Sequence, residues 1–292
     1  MTALGTEVRV APPAVHNRFS RWSLVIASAL ALAGFAWPLV AAAVPREAQA
    51  AVPIMALALV PAIVIAIALG LDREMYTATT VALLGVLTAV GAAIRIAGTG
   101  VGGVEAVFIV LILAGRAYGA RFGFILGMLT IALSSILWGG IGPWTPFQVF
   151  ACGWVGAGAG LLPRIRARTP RRSSRSEILM LVGYGIVASY MFGLLMNFWF
   201  WPFAVGMGTG ISYIAGAPIG ENLASFGLYS LLTSTLTWDT VRAITTTVGI
   251  LLVGPAALAA LRRAKVGRSR KRLARVLRDA PGETEQQGQT EK

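Results

Sequence analysis

The sequence predicts an all-α polytopic membrane protein with about eight transmembrane helices, and three observations carry that prediction. Hydrophobic residues make up 56% of the 292-residue chain and charged residues only 13%. With a mean hydropathy of +0.73, this balance excludes an ordinary soluble domain. Apolar runs near the roughly 20 residues needed to cross hydrocarbon recur along the chain, and arginines and lysines collect between alternate runs.

The first element is a basic segment, 1 to 21, with Arg9, Arg18 and Arg21, expected to be a cytoplasmic tail. The apolar run from Trp22 to Val44 follows. Ala48, Gln49 and Ala50 resemble a signal-peptide cleavage site, but the run exceeds the about 7–15 residues of a signal core. A retained helix over 22 to 44 is therefore expected, and 52 to 71 supplies a second. Further runs follow at 76 to 97, 122 to 138, 145 to 163, 177 to 200 and 240 to 261. Two runs are marginal. Residues 104 to 115 span only if the helix continues into Arg116 and Tyr118, whereas 223 to 236 carries Ser225, Ser230, Thr233, Ser234 and Thr235 and reads as interfacial or re-entrant. Counting the first of these gives eight.

Charge tests the count. With the N-terminus inside, 22 of the 25 basic residues fall on the cytoplasmic side, including six arginines from Arg164 to Arg175 and ten basic residues from Arg262 to Lys292. Only Arg46, Arg95 and Arg242 fall outside, and removing one helix would put the six-arginine loop on the wrong face. Both termini are thus expected in the cytoplasm of a cell that carries the protein in its plasma (inner) membrane. The net charge of +13 is explained by this topology and by anionic lipid, because its main clusters abut helix ends; nucleic acid is not an expected partner. Residues 264–292 read as a basic, then polar, cytoplasmic tail that is disordered.

Enzyme signatures are missing from the chain. His16 is the only histidine and Cys152 the only cysteine, which removes Ser-His and Cys-His pairs, multi-cysteine metal sites and an intramolecular disulfide. Cys152 reads as a small packing residue. Gly98, Gly100 and Gly103 fit a dinucleotide-loop pattern but lack the preceding strand. No phosphate-binding loop ending in Gly-Lys-Ser/Thr occurs, so ATP hydrolysis would have to come from other subunits, and no cofactor or metal is expected.

Small residues recur at four-residue spacing: Ala78 with Ala82, Ala89 with Ala93, Gly123 with Gly127, Gly156 with Gly160, and Gly185 with Ser189 and Gly193. Such ladders bring helices close together in lipid. Most are expected to pack within the chain; Ala78 and Ala82, in the cytoplasmic half of their helix, are placed to face a partner subunit.

Three blocks resemble a known family: "AGRAYGARFGFILGMLT" over 114 to 130, "GGIGPWTPFQVFACGWVGAGAGLLP" over 139 to 163, and "TSTLTWDTVRAITTTVGILLVGPAALAALRR" over 233 to 263. In order and spacing they resemble the S components, the substrate-binding membrane subunits of energy-coupling factor (ECF) vitamin transporters. The resemblance implies a six-helix core over residues 72–263, preceded by two extra helices over 22–71 that the family pattern lacks. It further implies that the chain binds a vitamin or related micronutrient from outside and associates with a transmembrane coupling subunit and two cytoplasmic ATPase subunits that drive uptake. Ala78 and Ala82 match the family's docking face, and Arg116 and Arg121 are grouped with them. The Gly-Pro-Trp-Thr-Pro block is most similar to those proposed for cobalamin and related large or nucleobase-like compounds.

The expected binding residues gather at the outer face: Trp138, Trp144, Thr145, Gln148, Asn197, Trp201, Tyr213, Trp238 and Asp239. Aromatic rings beside amides and carboxylates suit a flat solute, although membrane interfaces enrich tryptophan without any ligand. Glu105, Glu221 and Asp239 are ionisable groups near that boundary; Asp239 and Arg242, three residues apart, are expected to pair along one helix face. Asn197 is an amide in an apolar helix that needs a partner. The glycine-rich loops 98 to 103 and 206 to 220 suit either gates or plain linkers. Two other classes remain open: a solitary secondary transporter, which would need a coupling-ion site among intramembrane acids, and a structural or assembly protein, which would tolerate changes at Gln148, Asn197 and Trp238.

Overall fold

The computed structural model describes residues 16–43, 78–98, 104–163, 165, 175–205 and 208–279. The described residues form helices α1 (His16–Phe35), α2 (Trp37–Ala43), α3 (Ala78–Ala97), α4 (Val107–Tyr118), α5 (Ala120–Trp138), α6 (Thr145–Leu161), α7 (Arg175–Ala204) and α8 (Ile219–Ser230). A π-helix, π1 (Leu231–Asp239), then leads into α9 (Thr240–Asp279), and no strand occurs among the described residues.

Four helical stretches are long and apolar enough to cross a membrane: Ala78–Ala97, Ala120–Trp138, Arg175–Ala204 and Ile219–Ala264. The most apolar windows of the first and last are only 22% buried, so most of their hydrocarbon surface is turned away from the protein. That distribution suits lipid and would be costly in water. The run 52 to 71, Arg46, Arg73, the arginines from 166 to 172 and the tail beyond Asp279 lie outside the described residues.

Helix α4 is shorter than the span expected of it. It does run on through Arg116 to Tyr118, but it begins only at Val107 and has 12 residues, about 18 Å of helix. Eight of the 12 are buried, Phe108, Leu111, Ile112 and Ala114 completely. An apolar run of this length is a core helix rather than a lone crossing, and α5, α6 and α9 pack around it.

Glycine sets those distances. The Cα of Gly123 and the backbone of Gly156 are so close that a Cβ on either would meet the other's carbonyl, and Gly115 of α4 meets Gly156 in the same way. Gly127 packs on the Cys152 backbone and Gly160 on the Gly119–Ala120 peptide. The ladders on α5 and α6 therefore form one seam in which backbones touch. Cys152 is buried within it, as its packing role predicts. The α4–α5 junction needs Gly119, whose φ of 103° is open to glycine and few other residues.

Three other boundaries differ from expectation. Helix α1 begins at His16, inside the segment expected to be a tail, and the 22 to 44 run breaks at Ala36 just before Pro38. The segment 223 to 236 is helical throughout, lying in α8 and π1 as part of one 46-residue helical path. Hydroxyls here bond back to the helix, Thr233 Oγ1 to the Tyr229 carbonyl at 2.7 Å and Thr240 Oγ1 to that of Thr235 at 2.8 Å, so a Ser/Thr-rich sequence stays helical. Finally, the backbone remains helical to Asp279 rather than becoming disordered at 264, because Ala, Leu, Arg and Lys are good helix formers.

The N-terminal helices belong to the bundle. Trp154 Nε1 donates to Ser28 Oγ at 3.0 Å, the Phe35 ring meets Phe147 edge-on at 4.9 Å, and Trp37 Nε1 donates to the Trp199 carbonyl at 3.2 Å. Helices α1 and α2 thus cover α6 and α7.

Candidate functional site

Alternating helix direction brings the C-terminal ends of α3, α5 and α7 together with the N-terminal ends of α4, α6 and α9. At this end the bundle buries its polar side chains. Asp239 closes π1 at 1% exposure. Its Oδ2 accepts from Ser234 Oγ at 2.9 Å and its Oδ1 from Arg242 Nη1 at 2.6 Å, which is the pairing expected from their spacing. Arg242, itself 5% exposed, also donates from Nη1 to the Ser189 carbonyl at 3.1 Å and from Nε to Glu105 Oε2 at 2.8 Å. Its guanidinium lies over the rings of Phe192 at 4.8 Å and Phe108 at 5.7 Å, within cation–π range.

The Gly185–Ser189–Gly193 ladder of α7 makes room for this cluster. A Cβ at Gly193 would meet the Asp239 carboxylate, and one at Gly185 would lie 2.8 Å from the Thr246 methyl. One small residue per turn therefore admits one polar residue per turn of the facing helix.

A second station links α3, α5 and α6. Arg95 donates from Nη1 to Ser134 Oγ at 3.0 Å and from Nη2 to Gln148 Oε1 at 3.2 Å. A third links α7 to α8, where Asn197 Nδ2 donates to Ser230 Oγ at 3.0 Å. Gln148 and Asn197, both half-buried, are thus each held by another helix, whereas Asp239 is held by Ser234 and Arg242 of its own helical path.

The other expected binding residues are placed differently. Thr145 Oγ1 accepts from the Gly142 N–H at 2.9 Å, pinning the turn ahead of α6, and the Trp144 ring folds onto Gly142. Trp138, Trp144 and Trp238 are 58%, 42% and 51% exposed; none makes a ring contact among the described residues, and they match an interfacial belt. Trp201 is buried in a cluster with Phe226 and Tyr229, its Nε1 donating to the Ile211 carbonyl at 2.7 Å. Tyr213 donates to the Pro38 carbonyl at 3.2 Å, and burial pushes its hydroxyl above the usual tyrosine range. Asn222, which the sequence did not single out, bonds both the N–H and the carbonyl of Ile214, at 2.9 and 2.8 Å, and so fixes the segment ahead of α8. Glu221 is exposed. Residues 99 to 103, 206 and 207 of the two glycine-rich loops lie outside the described residues.

The opposite end carries its own cluster. Glu177, 2% exposed, accepts from Arg116 Nε at 2.8 Å and Arg262 Nη2 at 2.6 Å. Arg116 also donates to the carbonyls of Leu162 and Pro163 at 2.8 and 3.0 Å, placing a cation where the end of α6 presents its negative pole. Grouped with the docking residues by the family resemblance, Arg116 has its guanidinium turned into the chain. Arg121 is half-buried at the start of α5, while Ala78 and Ala82 are exposed on α3 together with Gly85, Ala89 and Ala93.

No family model, curated protein or solved structure matches this chain.

The sequence singled out Glu105 without its partner, missed Arg95 and Ser189 as members of these networks and missed Glu177 altogether. A signal existed for one of them: a ladder of small residues opposite a helix with Asp and Arg three apart. Glu177 carried none beyond its place in the first turn of α7.

Proposed function

We propose that the chain is the substrate-binding membrane subunit of an ATP-driven ECF-type importer for a vitamin or related micronutrient. In this reading it crosses the plasma membrane about eight times, the short α4 and the residues ahead of it making one crossing enclosed by the other helices, with both termini in the cytoplasm, and it is not itself an enzyme. The observation that carries it is the concentration of hydrogen-bonded polar groups, the half-buried Arg95, Gln148 and Asn197 and the buried Asp239 and Arg242, at the end of the bundle remote from the basic segments. The basic residues would hold their end inside, which turns the polar end toward incoming solute. The three sequence blocks supply the family resemblance, and Ala78 and Ala82 the docking face for the coupling subunit.

The test is to purify the full chain in mild detergent, denature it, and identify by mass spectrometry any small molecule released. A single micronutrient-class compound, retained by the wild type and lost from Gln148→Ala and Asn197→Ala, is the expected result. No compound enriched over a detergent control, together with no rise in unfolding temperature from any of a panel of vitamins, would remove the reading.

One observation favours a second reading, a solitary secondary transporter. Asp239 and Arg242 are an ion pair buried between membrane-type helices, the kind of group used to couple ions. Transport by the chain alone in vesicles, abolished by Asp239→Asn, would select it.

A further inference from the structure

We propose that Arg242 receives a carboxylate of the solute and that Glu105 holds that position until the solute arrives. This rests on the capture reading above and names the chemical group captured. The Nε and Nη2 of a guanidinium form the edge that binds a carboxylate through two parallel hydrogen bonds. Glu105 uses only half of that edge, one oxygen on Nε at 2.8 Å. Nη2 has no hydrogen-bond partner among the described residues, although the side chain is 6% exposed. Nη2 is not one of the fully buried unpaired atoms; it is open to solvent, so the second oxygen of a bidentate ligand can reach it.

The two carboxylates on Arg242 are unlike. Asp239 is 1% exposed, sits on the same helix and is tied down by Ser234; it is the permanent counter-ion. Glu105 is 39% exposed and projects from the non-helical residues ahead of α4; it can leave to water at little cost. Exchanging Glu105 for another monoanion leaves the buried charge unchanged, which avoids the penalty for adding a charge to a low-dielectric site. The same count disfavours a dianion, so the site selects a carboxylate over a phosphate monoester.

The experiment follows thermal unfolding of the full chain in detergent, wild type against Glu105→Ala, at fixed ionic strength with sodium chloride, acetate, benzoate or, at pH 8, phosphate. The variant should unfold at a lower temperature than wild type. Acetate and benzoate should raise its midpoint by roughly 2–4 °C over chloride, with a smaller effect of phosphate and little effect of any anion on wild type. Carboxylates acting no differently from chloride on the variant, or equally on variant and wild type, would overturn the proposal; a larger effect of phosphate would overturn its choice of anion. Should Glu105→Ala fail to fold, Glu105→Gln keeps the side-chain volume and is held to the same outcomes. Copurification of coupling and ATPase subunits tests the importer reading separately, so either can fail without the other.

Discussion

Gly193 lies directly against the carboxylate of Asp239, with no room between them for a single added carbon. A backbone position on α7 thereby determines whether α9 can bury its acid, and through the acid whether Arg242 has its fixed partner. Gly193→Ala should evict Asp239 and lower stability by about 3–5 kcal/mol, the usual effect of breaking a buried pair. Gly183→Ala, on the same helix with nothing within 4 Å of an added Cβ, should be neutral or slightly stabilising. Thermal unfolding of both variants checks the contrast, and equal losses would contradict it.

The Glu177 cluster should behave asymmetrically. Glu177→Ala leaves the Arg116 side chain, 6% exposed, without its counter-charge, and is expected to lower stability by about 3–5 kcal/mol. Arg262→Ala removes a side chain that is 18% exposed and leaves Glu177 paired with Arg116, so a loss nearer 1 kcal/mol is expected. A double-mutant cycle at Arg116 and Glu177, read by unfolding in detergent, measures the coupling directly.

Enlarging the helix seam should be worse than enlarging the open face of α3. Gly156→Val inserts three carbons where the Gly115 and Gly123 backbones touch and should prevent the α4–α5–α6 contact from forming, visible as loss of monodisperse protein on size exclusion. Gly85→Val has nothing within 4 Å and should leave the yield unchanged.

Ala78→Leu and Ala82→Leu change exposed positions of α3. They should block docking of a coupling subunit without abolishing solute binding, read as complex yield beside ligand affinity for the same preparation. Unchanged complex yield would show that this face is not the docking surface.

Much of the fold was legible because its signals are local. Apolar run length marked α3, α5 and α7 within a few residues, four-residue glycine spacing marked the α5–α6 seam, and a three-residue interval marked the Asp239–Arg242 pair. The remainder depends on distant partners. Glu105 and Arg242 are 137 residues apart, and Arg95 and Gln148 are 53 apart; no periodicity relates such positions. Hydropathy overestimated the length of α4 because an interior helix and a spanning helix share a composition, and it could not show that 223 to 236 is helical because serine and threonine look like loop residues until their hydroxyls find helix carbonyls. The aromatic residues divided along a line the sequence does not draw: Trp201 entered a core, while Trp138, Trp144 and Trp238 stayed exposed.

The central claim is tested most directly by affinity purification of the tagged full chain from native membranes in mild detergent, with mass spectrometry of every copurifying protein. The account predicts one membrane coupling subunit together with two ATPase subunits, lost when Ala78 and Ala82 are replaced by leucine. Recovery of the chain alone, reproducibly and in several detergents, would contradict it.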